Sequence, residues 1–300
     1  MTSHRSRRAI VAIAATLSLG LMGAACTTPA PYGGPPTGNR TFKAISVTVN
    51  HSNDGCFLVC PYNDEPKVVN IGFRAKLGVA NSASGFTVQG TNHWNGIFQQ
   101  GPGEGQSYNY AGAEQAAAVF SGVALPDLAD LAQGAPIEIA GVWAWKVEDD
   151  GILAANVNDI AAAIVPAIVA ALNQTVAIAS VPQDSNQIVN AIIGAIGNLG
   201  FFNLFSTVFT GLLNNLNISS DDVVGSAMYV GIGSSGTLAS IIDGVTGSVA
   251  FPSVAIPTLV VPPDIGGGAI FSLGTGTKTF TDASTNSGVA GQHTTTYTFG

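Results

Sequence analysis

The spacing of apolar residues changes twice along this chain, and this constrains the fold more than any other feature of the sequence. Between residues 42 and 150 apolar side chains tend to recur at every second position, as from Ile45 to Val49, which is the period of a half-buried β-strand. Between 151 and 217 they recur every three or four residues, as in an amphipathic helix. From 218 to 300 the strand signature returns. The sequence therefore predicts an α+β fold, an antiparallel β-sandwich interrupted by an apolar helical insertion.

Two runs in the first part of the sandwich predict half-buried strands, Val69–Leu77 and Ile137–Val147. In the first run Arg74 and Lys76 are expected to face outward. In the second, Trp143 and Trp145 lie two residues apart and therefore share one face of the strand. On an inward face the tryptophans belong to the core, which we favour, and on an outward face they form a stacking surface for carbohydrate or lipid.

The predicted insertion contains three apolar stripes, Leu153–Leu172, Ile188–Leu199 and Leu204–Leu216. Pro166 is expected to end or kink the first helix, because proline lacks the amide hydrogen that a helix needs. The segment Ser185–Ser220 contains no charged residue. Three roles are open for the insertion: a helical hairpin that covers the sheet, a membrane-active element, or a surface for self-association.

The N-terminus has the three-part pattern of an export signal. A basic head precedes an apolar run, Ala9–Met22, which is shorter than the roughly 20 residues of a membrane span. The small residues and cysteine that follow, Ala24-Ala25-Cys26, resemble the lipobox of bacterial lipoproteins. The resemblance implies a signal peptide over 1–25 and a lipid on the Cys26 thiol, and the alternative is cleavage without lipidation. The Pro- and Gly-rich segment 26–41 then predicts an extended tether, so we expect an extracytoplasmic protein that is anchored in the envelope or secreted.

The cysteine count agrees with export. Of the three cysteines, Cys56 and Cys60 remain as a pair once Cys26 is lipidated. In an oxidising compartment such a closely spaced pair predicts a disulfide. A metal site is the competing interpretation, and His51 is the only histidine close to the pair in sequence.

Composition and motifs exclude some classes of function. The net charge of −8 disfavours a nucleic-acid partner and favours cations. The segment around Ser234 and Ser235 lacks the Gly-x-Ser-x-Gly pattern of a nucleophile elbow, and the histidines have no zinc-site spacing. The sequence therefore favours a protein that is not an enzyme, although paired carboxylates leave glycoside hydrolysis open.

Acidic residues are rare in this chain, and six of them lie beside predicted strand ends. Calcium takes six to eight oxygen ligands, which such loops can supply if they meet. Otherwise these residues are solvated turns and helix caps. The candidate calcium ligands, and the only cofactor site that we expect, are Asp64, Glu65, Asp149, Asp150, Asp221 and Asp222.

The motifs around these acids resemble a loose group of uncharacterised secreted bacterial β-sandwich proteins. The matching segments are 63–66 before one strand, 148–151 after another, 221–226 before a third, and the terminal 297–299. The fold of that group is similar to the calcium- and lipid-binding sandwich of the protein kinase C type. The resemblance implies that five aspartates occupy the acidic loop positions of the group: Asp64, Asp149, Asp150, Asp221 and Asp222.

Two functions follow as hypotheses. The first is an exported, lipid-anchored, non-enzymatic cell-envelope or binding protein of unknown ligand, which contacts the membrane through its lipid. The second is a membrane-perturbing or pore-forming protein that uses the apolar insertion 151–217.

Overall fold

The computed structural model describes residues 32–52, 64–91, 93–94, 101–148, 154–178, 223–246, 265–283 and 291–300. The chain divides into two units, Met1–Gly34 and Pro35–Gly300, and every element named below belongs to the second. Its first strand begins at Thr37. Residues 37–41, predicted as the end of the tether, are therefore part of the β-structure.

Ten strands form two five-stranded sheets within the described ranges. The outer sheet has the order β4-β1-β10-β9, with β5 also paired to β1. Its strands are β1 (Thr37–His51), β4 (Ser107–Asn109), β5 (Ala118–Ala124), β9 (Lys278–Ala283) and β10 (Gln292–Phe299). The central sheet has the order β3-β2-β6-β7-β8. Its strands are β2 (Pro66–Lys76), β3 (Ser84–Gln89), β6 (Glu138–Glu148), β7 (Val223–Ile232) and β8 (Ile265–Ser272).

Three α-helices and one 3₁₀ turn accompany the sheets in this part of the chain. They are the 3₁₀ turn Gly112–Gln115, α1 (Leu128–Ala132), α2 (Ala154–Ile178) and α3 (Gly236–Thr246). Among the described helices, none combines the length and the hydrophobicity that crossing a bilayer requires. The prediction of a β-rich, two-sheet fold is confirmed.

The two sheets enclose one hydrophobic core. Aromatic side chains dominate it: the Phe42 ring of β1 lies 5.1 Å from Tyr297 and 5.2 Å from Tyr229, which belongs to the central sheet. Small residues of β6, such as Ala140 and Ala144, face these rings and are fully buried. Large rings on one sheet thus pack over small side chains on the other, which keeps the layer dense.

A second core covers the opposite face of the central sheet. There Trp143 and Trp145 pack in an edge-to-face arrangement with centroids 5.1 Å apart, and each is only 1% exposed. The core interpretation of the tryptophan pair is confirmed. Every residue of β6 is buried, since this strand lies between the outer sheet on one side and helices on the other.

Helix α2 supplies part of that second core. Its side chains Ala161, Ile164, Ile168 and Leu172 recur every three or four residues and are buried against the central sheet, where α2 packs on β2 and β3. The helix continues through Pro166, so this residue does not end the helix, and the alternative expectation of a kink stays a prediction. Pro166 and Ala162, whose carbonyl loses its amide partner, both lie on the exposed face, where water can satisfy that carbonyl. Residues 179–217 lie outside the described ranges, and the insertion as a whole remains a prediction.

The sandwich is mixed rather than purely antiparallel. Strands β7 and β8 pair in parallel, and α3 lies between them in sequence. Parallel neighbours need such a crossover connection. Leu238 and Ile242, four residues apart on α3, are buried in the second core. Because we expected only strands after residue 218, α3 and the parallel pair are corrections to the sequence analysis.

Candidate functional site

The six predicted calcium ligands form three groups in the sequence, at 64–65, 149–150 and 221–222. Each group adjoins one end of a strand of the central sheet. Strand β6 runs antiparallel to both β2 and β7, so the start of β2, the end of β6 and the start of β7 lie at one edge of the central sheet. Pro66 is paired with Glu148, and Val147 with Val223. Four of the proposed ligands, Asp149, Asp150, Asp221 and Asp222, lie outside the described residues.

Asp64 is a core residue at this edge. Its carboxylate is fully buried, and Oδ2 lies 2.6 Å from Nε2 of His293, which is also buried. Its Oδ1 has no hydrogen-bond partner among the described residues. Gly101 packs directly on its backbone, because a Cβ at position 101 would lie 1.8 Å from the Asp64 carbonyl oxygen. One carboxylate oxygen of Asp64 therefore contacts a protein partner, and the other is buried without one among the described residues.

A buried ion pair lies between the sheets near the Asp64–His293 contact. Lys146 of β6 places Nζ 2.6 Å from Oδ2 of Asp282 on β9. Asp282 is the cross-strand partner of Thr295, two residues from His293 on β10, so the ion pair and the Asp64–His293 contact are neighbours on the inner face of the outer sheet. Burial lowers the pKa of Lys146 below its ordinary value, and Asp282 opposes that shift. Burial, and then the charge of Asp282, raises the pKa of Tyr229.

These two buried contacts, Asp64–His293 and Lys146–Asp282, connect the two sheets. They do not form an open reaction site. Their side chains are almost fully buried, so a substrate could reach them only through structural rearrangement. Within the described ranges, no group of three or more His, Cys, Asp or Glu residues is arranged to hold a metal ion. Of the predicted ligands, the structure places Asp64 in the core and Glu65 beside it in a half-buried position.

A different polar cluster lies at the open side of the sandwich, between β3 and β4. Glu114 accepts hydrogen bonds from Nδ1 of His93 at 2.8 Å, from the Tyr108 hydroxyl at 2.8 Å and from the Ala111 amide at 2.9 Å. The Trp94 ring packs on Tyr108 with centroids 4.7 Å apart. The cluster consists of His93, Trp94, Tyr108 and Glu114, and we call it the edge cluster.

The carboxylate sets the electrostatics of the edge cluster. Burial alone would raise the pKa of Glu114, but hydrogen bonds from Ala111, Tyr108 and His93 outweigh it and hold that pKa below its ordinary value. Burial and the same carboxylate raise the pKa of Tyr108 to about 12. His93, whose side chain is 52% exposed, is thus oriented by an ionised partner, as a histidine ligand or base often is. Beside the cluster, the Thr91 amide donates a hydrogen bond to the Ala113 carbonyl, and this bond links the segment after β3 to the 3₁₀ turn.

The residues proposed for lipidation and for the disulfide, Cys26, Cys56 and Cys60, lie outside the described residues. His51, the histidine weighed as a metal ligand beside the cysteines, is exposed at the end of β1. Its Nδ1 lies 3.4 Å from a carboxylate oxygen of Glu104. The structure therefore gives His51 an acidic neighbour on the surface.

The buried Asp64–His293 and Lys146–Asp282 contacts and the edge cluster were not predicted from the sequence. One signal was available: Lys146 lies between Trp145 and Val147 in an otherwise apolar run, and a lysine at a core position needs a buried acidic partner. The identity of that partner was not readable, because Asp282 is 136 residues away. For Glu114, spacing gave a weak hint, since an acid three residues after Ala111 can bond back to its amide.

The comparisons with known proteins give no relative. No protein-family model matches this chain, and neither a curated protein nor a solved structure matches it.

Proposed function

We propose that this chain is an exported, lipid-anchored protein of the cell envelope that displays a non-enzymatic binding domain. One observation carries the proposal: the Ala24-Ala25-Cys26 junction is followed by a short Pro- and Gly-rich segment that leads directly into β1 at Thr37. A lipid at Cys26 would hold a folded body on the membrane surface through a tether of roughly ten residues.

The packing of α2 supports a binding domain over a membrane-perturbing protein. Ile164 and Ile168, which a membrane-active helix would turn toward lipid, are 0% and 2% exposed against the central sheet. Releasing them would expose apolar surface and cost about 1.5–3 kcal/mol per side chain. We propose that the whole insertion 151–217 forms a helical layer that packs on the central sheet as α2 does. We also propose that the chain belongs to the secreted β-sandwich group that its acidic motifs resemble.

Two further features belong to the proposed exported state. A disulfide between Cys56 and Cys60 would close the loop that precedes Asp64. Calcium would bind weakly at the acidic edge, the end of the central sheet where β2 and β7 begin and β6 ends. Oδ1 of Asp64, which has no hydrogen-bond partner among the described residues, would be one of its ligands. Glu65, Asp149, Asp150, Asp221 and Asp222 are the other proposed ligands.

Metabolic labelling with a fatty acid tests the anchor. The wild-type chain should take up label and fractionate with membranes, and Cys26→Ala should do neither. Cys56→Ala is the matched control, since it removes a cysteine without touching the junction and should label normally. Equal labelling of wild type and Cys26→Ala, or no labelling of wild type, would refute the anchor.

Dye release from liposomes tests the domain. The full chain should leave vesicles intact. Rapid leakage at micromolar protein that Ile164→Asn and Ile168→Asn weaken would instead support the membrane-perturbing function. Mass spectrometry of unreduced protein should also show the loss of two hydrogens that a Cys56–Cys60 disulfide requires.

A further inference from the structure

The outward face of the outer sheet carries a regular array of hydroxyl groups. Because side chains alternate along a strand, the residues that flank the buried Val47, Thr295 and Asp282 point away from the core. On β1, β4, β9 and β10, eight residues in this outward alternation are serine or threonine, and each is half-buried or exposed. We call this set the hydroxyl face, and its members are Ser46, Thr48, Ser107, Thr279, Thr281, Thr294, Thr296 and Thr298.

Strand register arranges these groups in rows across the sheet. Ser107, Thr48 and Thr294 are successive cross-strand partners in one row. Ser46, Thr296 and Thr281 form the next row, and Thr298 faces Thr279 in a third. The residues that carry these hydroxyls are therefore spaced about 4.8 Å across strands and about 6.8 Å along them. This spacing makes a two-dimensional grid of donors and acceptors.

Among the described residues, side-chain hydrogen bonds occupy three of the eight hydroxyls of the grid. Within it, Thr48 Oγ1 and Ser107 Oγ lie 2.7 Å apart, and Asn50 donates to Thr294 Oγ1 at 2.7 Å. These bonds fix the rotamers at one end. The described α-helices α2 and α3 contact the central sheet, and no α-helix of the described residues makes extensive contact with β1, β9 or β10. The hydroxyl face is therefore a solvent-facing surface in the part of the chain that the structure describes.

The chemistry of the face selects one class of partner. Lys43, beside Thr298, is the only charged residue in the three rows, so the face lacks the cluster of basic groups that binds nucleic acid or anionic lipid. It also lacks the aromatic, Met and Arg side chains that anchor protein partners. What it offers is uncharged hydroxyls and methyl groups at a fixed repeat, which complements a neutral, repeating, hydroxyl-rich molecule.

We propose that the hydroxyl face binds a neutral polysaccharide chain. The methyl groups would contact the C–H surfaces of the sugar rings, and the Thr and Ser hydroxyls would bond to the sugar hydroxyls along successive rows. The proposal names the ligand class of the binding domain proposed above, and it rests on that function because an envelope protein is surrounded by such glycans.

Retention on insoluble cellulose and chitin, and slowed migration through a native gel that contains dextran, test the proposal with the full chain. Thr296 lies at the centre of the grid. Thr296→Lys should weaken binding about tenfold or more, because it removes a hydroxyl and places a long charged chain over its neighbours. Thr296→Val with Thr281→Val should weaken it about two- to tenfold, the effect of losing neutral hydrogen bonds, and valine preserves both shape and strand propensity.

Thr87→Val is the matched control, since Thr87 is an exposed threonine on β3 of the other sheet and its loss should leave binding unchanged. Thermal unfolding confirms that each variant is folded. The proposal is overturned if wild type binds none of the three glycans, if Thr296→Lys binds as well as wild type, or if Thr87→Val loses as much affinity. It is also overturned if Thr296→Lys abolishes a dimer of the chain in sedimentation, because the face would then be a self-association surface.

The two proposals fail separately. Glycan binding by a chain that takes up no fatty acid would refute the anchor and leave the hydroxyl face supported. Fatty-acid labelling of a chain that binds no glycan would do the reverse.

Discussion

The Lys146 ammonium group lies 2.6 Å from a carboxylate oxygen of Asp282, in the space between the two sheets. Lys146 belongs to the central sheet and Asp282 to the outer one, so this ion pair crosses the interior of the sandwich. Desolvating two charges costs several kcal/mol per ion. The pair therefore disfavours other alignments of the two sheets, since a shift of one sheet over the other would separate the two buried charges.

Lys146→Met should lower the free energy of unfolding by about 3–5 kcal/mol, because it leaves the Asp282 carboxylate buried and uncompensated. The double variant Lys146→Met with Asp282→Leu should recover most of that loss. Urea unfolding measures both. Lys43→Met, on the outward face, is the control and should stay within about 0.5 kcal/mol of wild type. If the single and double variants are equally unstable, the pairing is not the cause.

The burial of α2 predicts a large cost for shortening its inner side chains. Ile164→Ala and Ile168→Ala should each lower the free energy of unfolding by about 2–5 kcal/mol, through lost apolar contact and the cavity left behind. Ala163→Ser, on the exposed face of the same helix, should change it by less than about 0.5 kcal/mol. An insertion that stands away from the sheet would instead show small effects at all three positions.

Asp243 ties α3 to the chain that follows β8. Its carboxylate accepts hydrogen bonds from the Ser272 amide at 2.8 Å, the Thr275 hydroxyl at 2.7 Å and Lys278 Nζ at 2.8 Å. Burial would raise its pKa, but Lys278 and the other donors hold it below the ordinary value of 3.8. Asp243→Ala should cost about 1–3 kcal/mol near neutral pH.

The pH dependence of that cost has a definite sign. A carboxyl group whose pKa is lower in the folded state stabilises the fold fully above its unfolded pKa, and the contribution is lost as pH falls through the folded pKa. The difference in unfolding free energy between wild type and Asp243→Ala should therefore shrink below about pH 3.8. Ser240→Ala, an exposed change on the same helix, should show no such trend. A difference that grows on acidification would contradict the assignment.

Glu114→Ala should loosen the edge cluster. His93 and Tyr108 would lose the acceptor that orients them, so the Trp94 ring beside them would become more mobile. We expect a reduced near-ultraviolet circular dichroism signal and a free energy of unfolding lower by about 1–3 kcal/mol. Glu104→Ala, at an exposed acid, should leave the spectrum unchanged. An unaltered spectrum in Glu114→Ala would show that aromatic packing alone holds the cluster.

Calcium should raise the melting temperature of the full chain if the acidic edge binds it. At a calcium concentration 100-fold above the dissociation constant, binding adds about 2.7 kcal/mol. Asp149→Asn with Asp222→Asn should remove the shift, whereas Asp127→Asn, at the helix cap of α1, should retain it. A melting temperature indifferent to millimolar calcium would leave these acids as ordinary turn residues.

Alternation of apolar residues predicted the positions of β2 and β6 correctly, but it did not predict that nearly every residue of both strands is buried, because the outer sheet covers one face and helices cover the other. The same rule failed locally in β1, where an irregularity in register after Ala44 leaves Ala44, Val47 and Val49 buried while Ile45 is only half-buried. Sequence could not indicate this shift, since it depends on how β10 pairs. It also gave no sign that β7 and β8 are parallel, because α3 is short and glycine begins it.

The candidate site was likewise predictable from the sequence only in part. Acids beside strand ends were visible in the sequence, and strand order places the described ends of β2, β6 and β7 together. The partner of Asp64 was not visible, because His293 is 229 residues away and contacts it only through the pairing of distant strands. Long-range partners of buried charges are set by topology, which local patterns do not contain.

The first strand of the fold, β1, pairs along most of its length with the last, β10, from Phe42 opposite Phe299 to His51 opposite Gln292. A chain that emerges N-terminus first, from a ribosome or a translocation channel, therefore presents β1 long before its partner exists. Until residue 299 has emerged, that strand exposes an open edge and an apolar face, and both favour aggregation. Truncation of a few residues of β10 should therefore be more damaging than an equal loss from an exposed loop.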